Sequence, residues 1–435
     1  MSVPRKMSVA RRWTTGGTAR AAAVLAELFG YSSFRPGQDR VIEAVTGGRD
    51  CVAVMPTGSG KTVTFQVPAR MMGGTTVVVS PLIALMEDQV ARARARGLRA
   101  MRVGGSEDPD LRREQRRTLL ETAPELVYAA PEGLVAGWCE ALSRMDVRLF
   151  AVDEAHCVER WGPEFRPCYL ELGDVRAALG HPACLAVTAS ASPQTVRRIA
   201  DVLRLHEPVL IRTSCVRSNL TLRVRPCRDA AEQAAIAAAY ARLQAGSGIV
   251  YTQSREGADA TAALLRRRGV AADAYHARLE RGERTRVQER FLSGATRVVV
   301  ATVAFGMGID KSDVRWIVHR GLPESLDSYY QEVGRAGRDG LDADCLMVWS
   351  PSDLVCHRSL RQNIVDPRRR DEALLASDAV VRLAAGAGCR HALVAAHFGE
   401  AVGRCGDRCD ACCPRLTAAD GLPSARTVAS GRPLV

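Results

Sequence analysis

Residues 51–62, CVAVMPTGSGKT, place a glycine-containing loop directly after a short apolar run and before a second apolar segment of helical character. A loop between a strand and a helix presents unpaired backbone N–H groups and the positive end of the helix dipole, and both favour phosphate. Lys61 is expected to reach the terminal phosphates of ATP and Thr62 to hold Mg²⁺. The other expected loop contacts are Thr57, Gly58, Ser59 and Gly60. Met55 stands where the general pattern has its first glycine, and a turn without a ligand is the alternative interpretation.

The chain has only three lysines, Lys6, Lys61 and Lys311, and every other basic residue except histidine is arginine. Genome composition is the first explanation of this bias. A lysine retained in the loop nevertheless fits a compact ammonium group packed among phosphates, which a planar guanidinium cannot replace. Lys61 is therefore predicted to be catalytic.

Short β-rich runs alternate with amphipathic stretches over most of the chain. They lie at 51–55, 76–80, 126–129, 148–152 and 184–188, and again at 248–251, 271–275, 297–301, 316–319 and 343–349. This alternation is typical of parallel sheets built from βαβ units. The sequence predicts an α/β protein with two tandem parallel-sheet domains, 21–210 and 211–350, and a small helical subdomain at 351–414.

Two adjacent acidic residues, Asp153 and Glu154, follow the predicted strand at 148–152. Ligands of parallel sheets bind at the carboxyl ends of the strands, so both side chains are expected beside the phosphate loop. Asp153 is suited to coordinating Mg²⁺, and Glu154 to activating the hydrolytic water. Acidic residues at strand ends also serve as helix caps, but together with the loop this pair indicates ATP hydrolysis.

The second domain contains QEVGRAGRDG at 331–340, with Arg335 and Arg338 three residues apart. On one turn of a helix both arginines would face the same side. An arginine that reaches a phosphoryl-transfer site stabilises transition-state charge and contributes about 10³–10⁵ in rate. We predict that both are catalytic; a surface arginine pair is the alternative.

Four of the 14 cysteines, Cys389, Cys405, Cys409 and Cys412, have the spacing C-x15-C-x3-C-x2-C. Four thiolates with two close spacings suit tetrahedral Zn²⁺ in a structural site. Disulfides are the alternative, and the adjacent Cys413 leaves open which thiol is the last ligand.

Charge and hydropathy narrow the class of protein. The net charge of +12 favours a polyanionic partner such as nucleic acid, or else a solvated basic surface.

No apolar stretch approaches the roughly 18 residues of a membrane span. The basic residues 1–20 are faintly similar to a transit peptide, but the apolar run after them is too short for a signal peptide. We expect a cytoplasmic protein with disordered ends at 1–20 and 415–435.

These motifs, in this order, resemble the RecQ family of DNA helicases over roughly residues 25–413. FRPGQ at 34–38 is similar to the family's motif before the phosphate loop, which implies that Gln38 reads the adenine edge with help from Arg35. ATVAFGMGIDK at 301–311 is similar to a signature of the second motor domain and implies ATP contacts from Gly308 and Asp310. The resemblance implies two RecA-like motor domains and a zinc-binding subdomain.

The stretch 156–167, HCVERWGPEFRP, is similar to the family's aromatic-rich loop. It offers Trp161 and Phe165 as surfaces on which bases stack and Arg166 as a phosphate or stacking partner. Because the loop continues directly from the catalytic strand, DNA contact there would shift Glu154 and His156. Core packing is the alternative interpretation.

The resemblance implies an ATP-dependent helicase that moves 3′ to 5′ on single-stranded DNA and unwinds duplexes, in DNA repair or recombination. Its partners would be single-stranded and partly duplex DNA, and its cofactors ATP, Mg²⁺ and structural Zn²⁺. Since only about twenty residues follow the cysteines, we expect neither the winged-helix domain nor the further helical DNA-binding domain of larger relatives. Two alternatives stay open: a DNA-stimulated translocase that unwinds poorly, and a non-catalytic DNA-binding module.

Overall fold

The computed structural model describes residues 15–81, 83–105, 108–160, 167–305, 311–362 and 364–418. The chain divides into two compact units, unit 1 (Met1–Ser214) and unit 2 (Cys215–Val435). Each unit contains one parallel sheet.

Unit 1 is built around a seven-stranded sheet. Its strands are β1 (Cys51–Val54), β2 (Thr75–Val79), β3 (Ala100–Val103), β4 (Leu126–Ala129), β5 (Val147–Val152), β6 (Ala183–Thr188) and β7 (Val209–Arg212). Their spatial order is β3-β4-β2-β5-β6-β1-β7, so β3 and β7 form the edges. The helices are α1 (Thr15–Phe29), α2 (Gln38–Thr46), α3 (Val63–Met72), α4 (Ile83–Ala95), α5 (Pro109–Thr122), α6 (Pro131–Gly133), α7 (Cys139–Leu142), α8 (Cys157–Arg160), α9 (Leu172–Ala178) and α10 (Pro193–Val202). A π-helical turn (Leu134–Trp138) and a 3₁₀ turn (Pro167–Glu171) complete the unit.

The interior strands of this sheet are buried on both faces. Alternate residues of a strand point to opposite faces. In β1, Cys51 and Ala53 pack into one apolar cluster, and Val52 and Val54 into the other. A strand covered on both sides needs a continuous apolar run, which is how β1 and β2 read in the sequence.

Unit 2 contains a six-stranded parallel sheet. Its strands are β8 (Leu220–Pro226), β9 (Ser247–Thr252), β10 (Ala272–Tyr275), β11 (Val298–Ala301), β12 (Val314–Arg320) and β13 (Ala343–Trp349). The order is β10-β11-β9-β12-β13-β8. The helices beside it are α11 (Ala230–Leu243), α12 (Arg255–Arg267), α13 (Arg281–Leu292) and α14 (Leu326–Val333).

The end of unit 2 is helical, as the sequence predicts. Its helices are α15 (Pro351–Gln362), α16 (Pro367–Ala385), α17 (Arg390–His397) and α18 (Arg415–Ala418). The segment between α17 and α18 covers the outer edge of β8, where Leu222 N donates to Arg408 O (3.0 Å) and Asp410 N donates to Leu222 O (3.3 Å). This contact satisfies backbone groups that an edge strand otherwise leaves open.

Two differences between the structure and the sequence prediction concern the strands and the domain boundary. Strands β3, β7 and β8 are absent from the prediction, and all three lie at sheet edges, where partial exposure admits polar residues. The predicted domain boundary after residue 210 falls inside β7, which pairs with β1.

The ends predicted to be disordered, 1–20 and 415–435, lie mostly outside the described residues, but the parts that the structure describes are helical. Helix α1 begins at Thr15, because Ala21, Val24, Leu25 and Leu28 form a buried stripe at helical spacing. Residues 415–418 form α18, where Leu416 O accepts from Arg223. Within the part of the chain that the structure describes, no helix is both long and apolar enough for a membrane span.

Candidate functional site

The phosphate loop connects β1 to α3, as predicted. Gly58 and Gly60 adopt φ values of +82° and +79°, which favour glycine. Met55 N donates to Thr188 O of β6 (2.9 Å), so the residue at the variant position anchors the start of the loop to the sheet. The Ser59 hydroxyl is buried and has no hydrogen-bond partner among the described residues. A buried donor of this kind fits a loop that takes an anionic ligand.

Arg35 and Gln38 contact this loop directly. Gln38 is 2% exposed, and its amide nitrogen donates to the carbonyl oxygens of Ser59 (2.9 Å) and Gly60 (3.1 Å). Its amide oxygen accepts from Arg35 N (2.9 Å), and the Arg35 guanidinium donates to Gly58 O. The structure therefore brings both predicted residues to the site, where the Gln38 donors are engaged by the loop.

Asp153 and Glu154 follow β5 and meet Lys61. The Lys61 ammonium lies 3.6 Å from Glu154 Oε1. Asp153 Oδ1 accepts the Glu154 backbone N–H (2.9 Å). Burial, reinforced by the negative charge of Glu154 and opposed by Lys61, raises the pKa of Asp153 from 3.8 to about 6. The three predicted catalytic residues of unit 1 thus lie together at the carboxyl ends of the strands.

His156 links this acidic pair to the end of β6. Its Nδ1 lies 2.9 Å from the Thr188 hydroxyl and 3.4 Å from Glu154 Oε2. The Thr188 hydroxyl donates its proton to Ser190 O (2.9 Å), so we infer that His156 Nδ1 carries the proton of their shared hydrogen bond. Sequence reasoning placed His156 in the DNA-coupling set and missed Thr188 as its partner; the threonine at the end of β6 was the available signal.

Some predicted site residues lie outside the described part of the chain. These are Trp161, Phe165 and Arg166 of the aromatic-rich loop, and Gly308 and Asp310 of the second ATP signature.

Arg335 and Arg338 belong to a turn and not to a helix, so the helix predicted for them from the sequence is wrong. Helix α14 ends at Val333, and Gly334 follows as its C-cap. We call residues 334–341 the arginine turn. Both guanidinium groups lie near Tyr251, where their charges partly offset the rise to about 12 that burial causes in the tyrosine pKa.

The arginine turn is held by two residues that sequence reasoning missed. The Arg217 guanidinium donates to Ala336 O (3.1 Å) and Gly337 O (2.6 Å). The Asn219 amide donates to Gly337 O (2.9 Å) and Leu341 O (2.8 Å). No local motif marks these residues, because their partners lie more than a hundred positions away.

The four predicted cysteine ligands form one cluster. The Sγ atoms of Cys389, Cys405, Cys409 and Cys412 all lie within 4.8 Å of one another. Thiolates around tetrahedral zinc at about 2.3 Å stand roughly 3.8 Å apart, so the cluster fits that ion. Cys413 is not a member of the cluster, so the structure favours Cys412 as the fourth thiol.

The cysteine cluster is tied to the sheet of unit 2 by buried polar contacts. Arg390 and Asp410 form an ion pair (2.7 Å) in which each side chain is 8% exposed. His391 Nε2 lies 3.1 Å from both Leu220 O and Arg408 O. The segment that carries the thiols therefore packs on β8 and the residues beside it.

Three protein-family profiles match the chain. They are the DEAD/DEAH box helicase at residues 35–199, the helicase conserved C-terminal domain at 232–340, and the RecQ zinc-binding domain at 351–413.

Curated relatives match nearly the whole chain. It is 38% identical over 413 residues to the ATP-dependent DNA helicase RecQ of Pasteurella multocida, covering 94% of this chain and 65% of that protein. It is 38% identical over 398 residues to the RecQ helicase of Bacillus subtilis, covering 90% and 67%. The chain thus spans about two thirds of the length of these relatives.

Solved helicase structures share the fold. Mycobacterium smegmatis helicase Lhr bound to ssDNA and AMP-PNP has a TM-score of 0.58 at 24% identity, covering 78% of this chain and 49% of that one. Saccharomyces cerevisiae Dbp5 bound to RNA and ADP BeF3 has a TM-score of 0.62 at 14% identity, covering 88% and 94%. At these identities the likeness shows the architecture of the motor units.

Proposed function

Because the chain belongs to the RecQ family of ATP-dependent DNA helicases, we propose that it hydrolyses ATP with Mg²⁺ and uses the energy to move along and unwind DNA. The observation that carries this proposal is the convergence of Lys61, Asp153 and Glu154 beside a glycine loop at one sheet edge. An ammonium group and two acidic residues in that arrangement provide for phosphate binding, metal binding and water activation.

Each side chain of unit 1 has a separate role in this proposal. Lys61 binds the terminal phosphates, as does the loop through its backbone N–H groups. The Thr62 hydroxyl and the Asp153 carboxylate are oxygen donors of the kind that Mg²⁺ prefers. The metal supplies neutralisation of phosphate charge when bound. Glu154 orients the attacking water and accepts its proton, and its carboxylate lies 3.6 Å from the Lys61 ammonium.

The arginine turn supplies positive charge in unit 2. We assign Arg335 and Arg338 to stabilising the negative charge that develops on the transferred phosphoryl group. Gly308 and Asp310 are proposed to contact ATP. Gln38 is proposed to read the adenine edge after its amide has left the loop.

DNA is the proposed macromolecular partner. The named relatives are DNA helicases, and the net charge of +12 suits a polyanion. We assign 3′-to-5′ movement on single-stranded DNA, a role in repair or recombination, and a cytoplasmic location on the family relationship. Trp161, Phe165 and Arg166 are proposed to contact DNA, and His156 to pass that contact to Glu154.

The cysteine cluster is proposed to hold structural zinc. Its four thiols leave no position open for a reacting water, and the RecQ zinc-binding profile covers them. A metal there would fix the segment that covers β8.

A single set of assays tests the proposed function. ATP hydrolysis is measured with and without single-stranded DNA, and unwinding is measured on duplexes with a 3′ or a 5′ tail. We expect DNA-stimulated hydrolysis and unwinding of the 3′-tailed duplex. Hydrolysis without unwinding would select the translocase, and absence of DNA-stimulated hydrolysis would refute both enzymatic functions.

Glu154→Gln identifies the hydrolytic residue, and the chain offers a matched control. Glu154 and the exposed Glu207 both adopt left-handed backbone, with φ of +49° and +41°. Glu154→Gln should lower kcat at least 100-fold while ATP still binds, because an amide cannot accept the proton. Glu207→Gln should leave kcat unchanged.

A further inference from the structure

The segment that leads into β8 contacts the arginine turn through side chains. Arg217 and Asn219 are partly buried, whereas Ser218 between them is exposed. All four hydrogen bonds that Arg217 and Asn219 donate at 3.1 Å or less end on carbonyl oxygens of the turn. Arg217 and Asn219 therefore contact the arginine turn from a tight turn of their own, which is closed by the Leu220 N–H donating to Arg217 O (3.0 Å).

The side-chain nitrogen and oxygen of Asn219 are both engaged in hydrogen bonds. Its amide nitrogen has two acceptors, Gly337 O and Leu341 O, and its amide oxygen lies 3.2 Å from Arg217 Nε. Its backbone oxygen also accepts from Ala343 N (2.9 Å). Since a carboxylate has no N–H donor, aspartate at this position would face two carbonyl oxygens without a proton to share.

Gly337 allows this close approach. Its φ is +55°, and a Cβ atom there would lie 2.5 Å from Asn219 Nδ2 and 2.6 Å from Leu341 O. On another side, one guanidinium nitrogen of Arg315, Nη2, donates to both carboxylate oxygens of Asp339, at 2.7 Å to each. The backbone that carries Arg335 and Arg338 is thus fixed by side chains from two separate segments.

The turn needs such support because α14 ends before it and cannot supply hydrogen bonds to its carbonyl groups. Helix α14 stops at Val333, so the carbonyl groups at 336, 337 and 341 are beyond its hydrogen-bond ladder. A catalytic group must be held within about 0.5 Å of its productive position, and a displacement of 1 Å can cost about 100-fold in rate.

We propose that Arg217 and Asn219 are positioning residues for Arg335 and Arg338 in ATP hydrolysis. This inference rests on the proposed function. Arg217 and Asn219 act through the carbonyl oxygens of the turn and hold its backbone so that the two guanidinium groups meet developing charge. Their loss should therefore lower kcat more than it raises KM for ATP, as expected for an interaction made in the transition state.

The kinetic test uses Asn219→Ala, Asn219→Asp and Arg217→Lys in the full chain. We expect kcat for DNA-stimulated hydrolysis to fall 10- to 100-fold in the Asn219 variants, with KM for ATP changed less than threefold. Arg217→Lys keeps the charge but loses the planar fork, so a smaller loss is expected. Ser218→Ala is the matched control and should equal the wild type.

A double-mutant cycle separates positioning from a general structural defect. In an Arg338→Ala background, and likewise with Arg335→Ala, Asn219→Ala should lower kcat less than threefold further, because the groups it positions are already removed. A full, multiplicative loss in both backgrounds would overturn the inference.

Hydrogen exchange of the full chain tests the contact without relying on activity. Asn219→Ala should speed amide exchange in residues 334–341 at least tenfold and leave the strands of unit 1 unchanged. Unaltered exchange in the turn would overturn the inference, even with lowered kcat. If the wild type shows no DNA-stimulated hydrolysis, the proposed function fails and the catalytic role of this pair fails with it, while the exchange result still decides whether the pair holds the turn.

Discussion

Asp153→Asn should make the unliganded chain more stable while it abolishes ATP hydrolysis. Burial and the neighbouring Glu154 raise the pKa of Asp153 from 3.8 to about 6, which means that the folded chain holds this carboxylate in an unfavourable charged state at neutral pH. Asparagine keeps an oxygen that can accept the Glu154 backbone N–H, which Asp153 Oδ1 accepts at 2.9 Å. It removes the charge and, with it, the proposed ligand for Mg²⁺.

The magnitude follows from proton linkage. A rise of about two pKa units corresponds to at most about 3 kcal/mol, at 1.36 kcal/mol per unit. We expect about 1–3 kcal/mol of added stability for Asp153→Asn at pH 7.5, since the amide must also be desolvated. The folded state binds this proton more tightly than the unfolded state, so the wild type loses stability from this group as pH rises from 3.8 to about 6. The advantage of the variant should be greatest above pH 6 and fall to about half at pH 5.

Calorimetric unfolding of the full chain in Mg²⁺-free buffer at pH 7.5 and pH 5 measures the effect. Asp201→Asn, at an exposed position on α10, serves as the control and should change stability by less than about 0.5 kcal/mol. A variant no more stable than the wild type at pH 7.5 would refute the reasoning. So would an advantage of equal size at both pH values.

Three further predictions concern the pH profile of the wild type and substitutions in two other parts of the fold. First, kcat/KM for ATP in the wild type should fall about tenfold per pH unit below about pH 6. The reason is that the proposed Mg²⁺ site needs ionised Asp153, whose pKa is raised to about 6. A flat profile down to pH 5 would contradict this prediction. Second, Arg176→Ala should cost about 3–5 kcal/mol in thermal unfolding, since it leaves Asp50, which is 5% exposed, without the guanidinium 2.5 Å away; a loss under 1 kcal/mol would contradict the burial argument. Third, Cys405→Ser should lower the bound zinc measured by atomic absorption and speed amide exchange in β8, whereas Cys413→Ser should retain the metal; equal zinc in both variants would remove Cys405 from the ligand set.

The interior of both sheets could be predicted from the sequence because burial on two faces demands uninterrupted apolar runs. β5 and β6 read that way and are found where expected, within a residue or two. Three of the four edge strands, β3, β7 and β8, could not be predicted from the same rule. β8, for example, contains Arg223, whose buried guanidinium pairs with Asp344 on the adjacent β13, and nothing local indicates that partner.

The site likewise has a part that local sequence predicts and a part that depends on contacts with distant residues. Lys61, Asp153 and Glu154 were predictable because each sits at a strand end whose place in a parallel sheet is fixed by topology. The conformation around Arg338 could not be predicted, because α14 ends before this residue and the contacts that shape the turn come from residues 217 and 219.

The two adjacent acidic residues show how the sheet sustains an unfavourable arrangement at the site. Asp153 holds a partly buried charge, and Glu154 adopts φ of +49°, a left-handed conformation that costs a non-glycine residue about 1–2 kcal/mol. The backbone on either side is fixed by the sheet, since Asp153 N donates to Val79 O of β2 and Ala155 N donates to Val187 O of β6, both at 2.9 Å. Glu154 thus lies in the turn that follows β5, between two anchored neighbours, and its carboxylate lies 3.6 Å from the Lys61 ammonium. A glycine at 154 would relieve the backbone strain and an asparagine at 153 would remove the charge, but either change would remove a carboxylate to which we assign a role in hydrolysis. The instability concentrated at these two positions is thus a direct consequence of placing two carboxylates against one phosphate loop.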